Sequence, residues 1–250
     1  RMLADILSRR EAAENDLRKD MFQAIMQSFF DPRSSRLEAQ VISLELLTYN
    51  FHESIDISPL YKYLLERINN SADANRQVYV RRLSNAAREI KTKQMLILES
   101  VGARSDMEVN LEQMAKDPDF VPRQEFDMTV DGVRRLFMVA IPEADQDTGE
   151  LRVELGIRTL QEPGVKPQPG AIPEEVHASF WVGMFSFPTI DNTRLSHDQR
   201  CSVILKGFSP RRAYLTVLFF PGSYSSLKEK PYYEEVLNKL LGAAREGRIR

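Results

Sequence analysis

The hydrophobic residues of this chain change their period: up to about residue 115 they recur at helical spacing, and from Val121 onward they alternate as in strands. A pattern that buries one face of a helix cannot bury one face of a sheet, so two architectures are joined in one polypeptide. The 250 residues, 42% of them hydrophobic, are enough for two modest cores. The expected fold is α+β multidomain: an N-terminal antiparallel helical bundle with a long leading helix over residues 1–117, then a C-terminal antiparallel β-sandwich with a packed terminal helix over 118–250.

A formal charge of -2 leaves no excess of positive charge to neutralise phosphates over a large footprint, and nucleic acid is not expected as a partner. The single cysteine, Cys201, forms no intramolecular disulfide and no thiolate metal site alone; it is expected inside a strand. No run reaches the roughly 20 apolar residues that span a bilayer. The chain opens on Arg1 rather than methionine and is read as part of a longer precursor, with membrane contact only through a segment outside it. Extracytoplasmic placement is the expectation, by analogy with other sandwiches, and a cytoplasmic one is the alternative.

In the leading helix, Leu3, Leu7, Leu17, Met21, Ile25 and Phe29 fall near one face, while residues 8–16 are almost wholly polar. This predicts a stalk or a coiled-coil seam completed by another chain, against a frayed terminus. Asp31-Pro32 stops the helix, and Ser34 or Ser35 caps the next. That second helix carries Leu37, Val41, Leu44, Leu46 and Leu47, a stripe broad enough to need partners on both sides. Ser58-Pro59 is an N-cap followed by proline at the first helical position. A fourth helix, 73–100, ends at Gly102 and carries Arg81, Arg82, Arg88, Lys91 and Lys93, read as a solvated face balanced by Glu38, Glu45, Glu66 and Glu89. Residues 116–122, with two prolines, read as the linker.

Beyond it, Phe126, Met128 and Val130 alternate up to Asp131-Gly132, a tight hairpin turn, and Val133, Phe137, Val139 and Ile141 resume the strand pattern. Leu151, Val153, Leu155 and Ile157 form a half-buried strand. Around Trp181 both faces are apolar, so Trp181 is expected in the core, with stacking on a sugar or anchoring of a partner protein as the functional alternative. Doubly apolar strands here and at 214–220 need cover from the bundle or from a final helix built on Val236, Leu237, Leu240 and Leu241.

Two loops carry most of the polar chemistry. Residues 161–175 are long and rich in proline; residues 188–199 hold Asp191, Asn192, Arg194, Ser196, His197 and Asp198. A polar ligand is expected at Asp191, Asn192, Arg194 and His197, with Trp181 beside them. Ser196, His197 and Asp198 have the residue types of a hydrolytic triad, but neighbouring side chains are expected to diverge. His197 with Cys201 as base and nucleophile lacks an electropositive helix terminus, and three histidines without short spacing make a weak metal set. No cofactor is expected; Asp145 and Asp147 start a pattern like a calcium loop, with its glycine one position early, and are carried as a calcium alternative to a plain hairpin turn.

Catalytic residue types fail to cluster, whereas a polar leading helix and doubly apolar strands demand neighbours. The expected function is a non-enzymatic interaction, scaffold or sensor module, with a protein partner or self-association. The alternatives are a sandwich that binds carbohydrate or another small polar ligand, and a hydrolase.

Overall fold

A computed structural model describes residues 2–30, 36–162, 164 and 174–226, with side chains from Asp16 onward. The chain is mixed α+β, with helices N-terminal and two antiparallel sheets C-terminal. It divides into two compact units, one reaching Ala86 and the other running from Ala87 to Ser226.

In the first unit, α1 (Met2–Phe30), α2 (Leu37–Phe51), α3 (Ser58–Asn69) and the first part of α4 (Arg76–Val101) bury Phe22, Met26, Phe29, Val41, Leu44, Leu47, Phe51, Leu60, Leu64 and Leu83. The buried face of α1 is thus Phe22, Met26 and Phe29: Phe29 is as expected, Phe22 and Met26 stand one position on from the expected Met21 and Ile25, and Leu17 is 68% exposed. The α1–α2 connection holding Pro32, Ser34 and Ser35 lies outside the described residues. At α3 the N-cap is Ile57 rather than Ser58: the Ser58 N–H donates to the Asp56 carboxylate at 2.9 Å, and Pro59 sits in the first turn, where its missing N–H costs nothing. Gln40 is buried between the Phe29 carbonyl (2.8 Å) and the Arg67 guanidinium (2.6 Å), and the Thr48 and Tyr61 hydroxyls meet at 2.7 Å. Burial raises the Tyr61 pKa far above its usual value.

The expected basic face of α4 is only partly solvated. Arg82 holds Glu45 through two bonds, at 2.6 and 2.9 Å, and Lys93 pairs with Glu89 one turn back. Lys91 is buried, within the second unit, and donates to the Leu205 carbonyl at 3.1 Å.

The second unit contains a strand where helical or linker character was expected. Directly after Gly102 comes β1 (Ala103–Asn110), followed by the short α5 (Leu111–Lys116). The strand was hard to read because its alternation, exposed charges against Met107 and Val109, is short and weak. Then follow β2 (Arg123–Val130), β3 (Val133–Asp145), β4 (Glu150–Gln161), β5 (Glu175–Val182), β6 (Thr193–Leu195), β7 (Gln199–Phe208) and β8 (Arg212–Pro221). One sheet has the order β1-β8-β7-β6 and the other β2-β3-β4-β5. The β2–β3 turn is the expected one: Asp131 and Gly132 both take positive φ, 49° and 78°, as a two-residue hairpin requires.

The inward faces of the two sheets share one hydrophobic cluster, with Phe137, Val139 and Leu155 from one and Val203, Leu215 and Phe219 from the other. Cys201 lies in this cluster, as expected. Strands β7 and β8 are apolar on both faces, and their second face, Ile204, Leu218 and Phe220, packs against Met95 and Leu98 of α4. The helix expected at residues 236–241 lies outside the described residues. No described helix is long and apolar enough to cross a membrane.

Candidate functional site

On β3 the inward positions are Val133, Arg135, Phe137, Val139 and Ile141, so the pleat aims a guanidinium into the interior. Arg135 is 0% exposed. It survives there because its five N–H donors find partners. Nε donates to the Gln199 amide oxygen at 3.3 Å. Nη1 donates to the Thr159 hydroxyl at 2.7 Å and the Glu174 carboxylate at 3.3 Å, and Nη2 to the Ser196 carbonyl at 3.2 Å and hydroxyl at 2.7 Å. The Phe219 ring lies 5.9 Å from the guanidinium carbon. Arg135 and Thr159 belong to one sheet, whereas Gln199 opens β7 of the other, so one side chain ties the two sheets together.

The partners are themselves connected. Ser196 donates to Glu174 at 2.5 Å, Thr159 donates to the same carboxylate at 3.2 Å, and the Gln199 amide donates to the Val130 carbonyl at 2.9 Å. The Ser196 bond first, and the Arg135 guanidinium with it, hold the Glu174 carboxyl below the usual carboxylate range against a smaller opposing effect of burial. Ser196 and His197 lie in the three-residue turn between β6 and β7, in which His197 and Asp198 take positive φ, 60° and 50°. That turn swings the His197 ring so that Nδ1 lies 3.0 Å from the Ser196 oxygen and Nε2 lies 3.8 Å from Glu162. The two adjacent side chains therefore meet, contrary to the expected divergence, because the left-handed backbone at His197 rotates its side chain back over its neighbour.

The two polar loops also converge here: Glu162 and Glu174, at the ends of one, meet Ser196 and His197 of the other. Residues 163 and 165–173 lie outside the described residues. A serine, a histidine and two carboxylates are within reach of one another, but the hydroxyl is fully engaged. Its proton goes to Glu174 and its lone pairs take Arg135 and His197, so Nδ1 carries the hydrogen. Cys201 offers no second nucleophile, since complete burial pushes its thiol pKa far up.

The remaining expected ligand residues are placed differently. The Asp191 carboxylate accepts the Phe187 N–H at 2.5 Å and its carbonyl accepts the Ser202 hydroxyl at 2.7 Å. The Asn192 amide donates to the Pro188 and Thr189 carbonyls, and its oxygen accepts from Arg200 at 3.3 Å. Both residues build their own loop. Arg194 is exposed on β6. Trp181 is 43% exposed on the outward face of β5, a correction to the expected core position: the chain leaves the strand after Val182, and no second layer covers that side of the sheet among the described residues.

Beside Trp181, the outward face of β2-β3-β4-β5 dips into a depression of about 590 Å³ lined by Arg123, Glu125, Met138, Glu154, Gly156 and His177. Gly156 makes the dip, being flanked by Met138 on one strand and His177 on the other. Asp145 closes the β3–β4 hairpin: its carboxylate accepts the N–H groups of Asp147 (2.9 Å) and Thr148 (3.1 Å), which holds its pKa down, Thr148 contributing most. Among the described residues, no group of three or more His, Cys, Asp or Glu is placed to hold a metal ion.

The residue that sequence reasoning missed is Arg135. Its signal was present: it stands in step with Val133 and Phe137, at a position where the alternation calls for an apolar residue. No protein-family model, curated protein or solved structure matches this chain.

Proposed function

We propose that this chain is a non-enzymatic interaction module, a helical bundle joined to a β-sandwich, that recognises a partner protein through α2. The observation that carries the reading is that α2 presents apolar residues on its exposed side as well as on its buried one. Leu37, Val41, Leu44, Leu47 and Phe51 fill the core, while Ile42, Leu46 and Tyr49, spaced i, i+4, i+7, remain exposed. A helix of that kind is ordinarily covered on both sides, and the partner matching such a stripe is the apolar face of an amphipathic helix. The internal saturation of Arg135, Glu174 and Ser196 favours a structural role for the polar cluster over a reactive one. The test is a photoreactive amino acid at position 46 in cells that make the protein, with exposed position 62 as control. A discrete protein adduct at 46 and none at 62 supports the reading; equal labelling, or none, overturns it.

A second reading rests on the exposure of Trp181 beside the depression on the open sheet face: a carbohydrate or another small polar ligand bound there. Trp181 is the sole tryptophan, so its fluorescence reports directly on a glycan panel. An unchanged spectrum across the panel ends this version.

A further inference from the structure

In the β4–β5 ladder, the Thr159 N–H donates to the Glu174 carbonyl at 3.0 Å, which fixes the phase of the antiparallel bonding. Val176, Ala178, Phe180 and Val182 therefore spend their backbone groups on β4. The N–H and C=O groups of Glu175, His177, Ser179 and Trp181 point to the other side, and none has a backbone partner among the described residues.

An edge of this kind is a template for another strand unless something blunts it: a proline, a row of charged side chains, a bulge or a short length. β5 has none of these. It is eight residues long, and its register with β4 is unbroken. The other described edges are managed. β6 has three residues; β1 carries Arg104, Asp106 and Glu108; and β2 sits by β1, where the Gln124 amide donates to the Asp106 carbonyl at 3.3 Å.

We infer that β5 pairs with β5 of a second copy of this chain, antiparallel about a two-fold axis at Ala178, so that two four-stranded sheets become one sheet of eight. Only odd-numbered residues have free backbone groups, so odd must face odd. With the axis at Ala178, Glu175 faces Trp181 of the other copy and His177 faces Ser179, each pair exchanging two backbone bonds.

Charge selects this register. On the outward face Arg158 neighbours Glu175, Gly156 neighbours His177, Glu154 neighbours Ser179 and Arg152 neighbours Trp181. Across the new seam one row reads Arg158, Glu175, Trp181, Arg152, and the next reads Gly156, His177, Ser179, Glu154. No like charges stand opposite each other. An axis at His177 would oppose two imidazoles, and one at Ser179 would leave Glu175 beyond the end of the partner strand. The pairing uses none of the α2 residues, so it goes beyond the proposed function, and either can fail alone.

Sedimentation velocity on the full chain is the test. An interface this small falls at the weak end, so the mass should rise from one chain toward two over about 1–200 µM. Ser179→Pro removes an N–H that β4 does not use, which an edge strand tolerates; it should abolish the dimer while leaving the circular dichroism unchanged. Should that variant unfold, Trp181→Glu serves instead. It sets a carboxylate against Glu175 twice by symmetry and should weaken dimerisation by about tenfold, with Glu175→Gln in the same chain restoring most of the loss. A single-chain mass at every concentration overturns the inference, and so does a dimer indifferent to a folded Ser179→Pro variant or to Trp181→Glu.

Discussion

Arg135→Met asks directly whether the buried guanidinium holds the two sheets together. Methionine keeps an unbranched chain of comparable length but removes every donor. Five acceptors on four residues lose a bond: the Gln199 amide oxygen, the Thr159 hydroxyl, the Ser196 carbonyl and hydroxyl, and the Glu174 carboxylate. Glu174 is 40% exposed and recovers water, so it is discounted. Gln199 and Thr159 are buried and do not. Two orphaned acceptors at about 1–3 kcal/mol each, less about 1 kcal/mol returned by the buried thioether, give a loss of about 3 kcal/mol.

Amide hydrogen exchange of β3 and β7 reads the opening free energy of the sheet unit itself, without assuming that the whole chain unfolds in one step. Adding Thr159→Val to the variant removes one orphan and should recover about 1 kcal/mol. Glu174 supplies a pH signature. Its pKa is held down in the folded state, so its contribution is present above the unfolded carboxylate's pKa and is lost as pH falls through the folded value. In Arg135→Met that acid loss should shrink without vanishing, because the Ser196 bond is the largest cause. A cost below about 1 kcal/mol, or no recovery with Thr159→Val, would refute the idea that this polar tie stabilises the unit.

Three other outcomes are expected. Burial pushes the Lys91 amine down to about 8, so between there and its ordinary value of 10.5 the unfolded chain holds the extra proton, and stability should climb with pH by roughly 3 kcal/mol at most; Lys91→Met should flatten that climb in denaturant titrations. A Cβ at Gly102 would collide with the Phe219 carbonyl and press on the Leu98 carbonyl, so Gly102→Ala should lower the melting temperature by several degrees, from a cost of about 2 kcal/mol or more. Ser196 should not be labelled by a fluorophosphonate probe at neutral pH, as judged by intact mass, because its proton and lone pairs are already engaged; stoichiometric labelling would revive the hydrolase alternative.

Local pattern carried a good deal. The Asp131-Gly132 hairpin was legible because two adjacent positive φ values demand those residue types, and the strand at 151–157 because its alternation is long and regular. β1 was not, since only Met107 and Val109 mark its buried end. Of the candidate site, His197 was singled out as a ligand residue; the structure sets it against Ser196 and Glu162, and the other members of the cluster, Glu174 and Arg135, are distant in sequence. No spacing rule joins residues 135, 174 and 196.

What the residues alone determined is the change from helices to strands, the two-sided apolar character of α2 and β8, and the tight turns, because each follows from chemistry within a few positions. What only the tertiary structure decided is which surplus face gets covered: α4 shields β7 and β8, while among the described residues the Trp181 face and the edge of β5 stay open. Burial depends on what arrives from elsewhere in the chain, and a sequence pattern specifies the need for a neighbour without specifying which one.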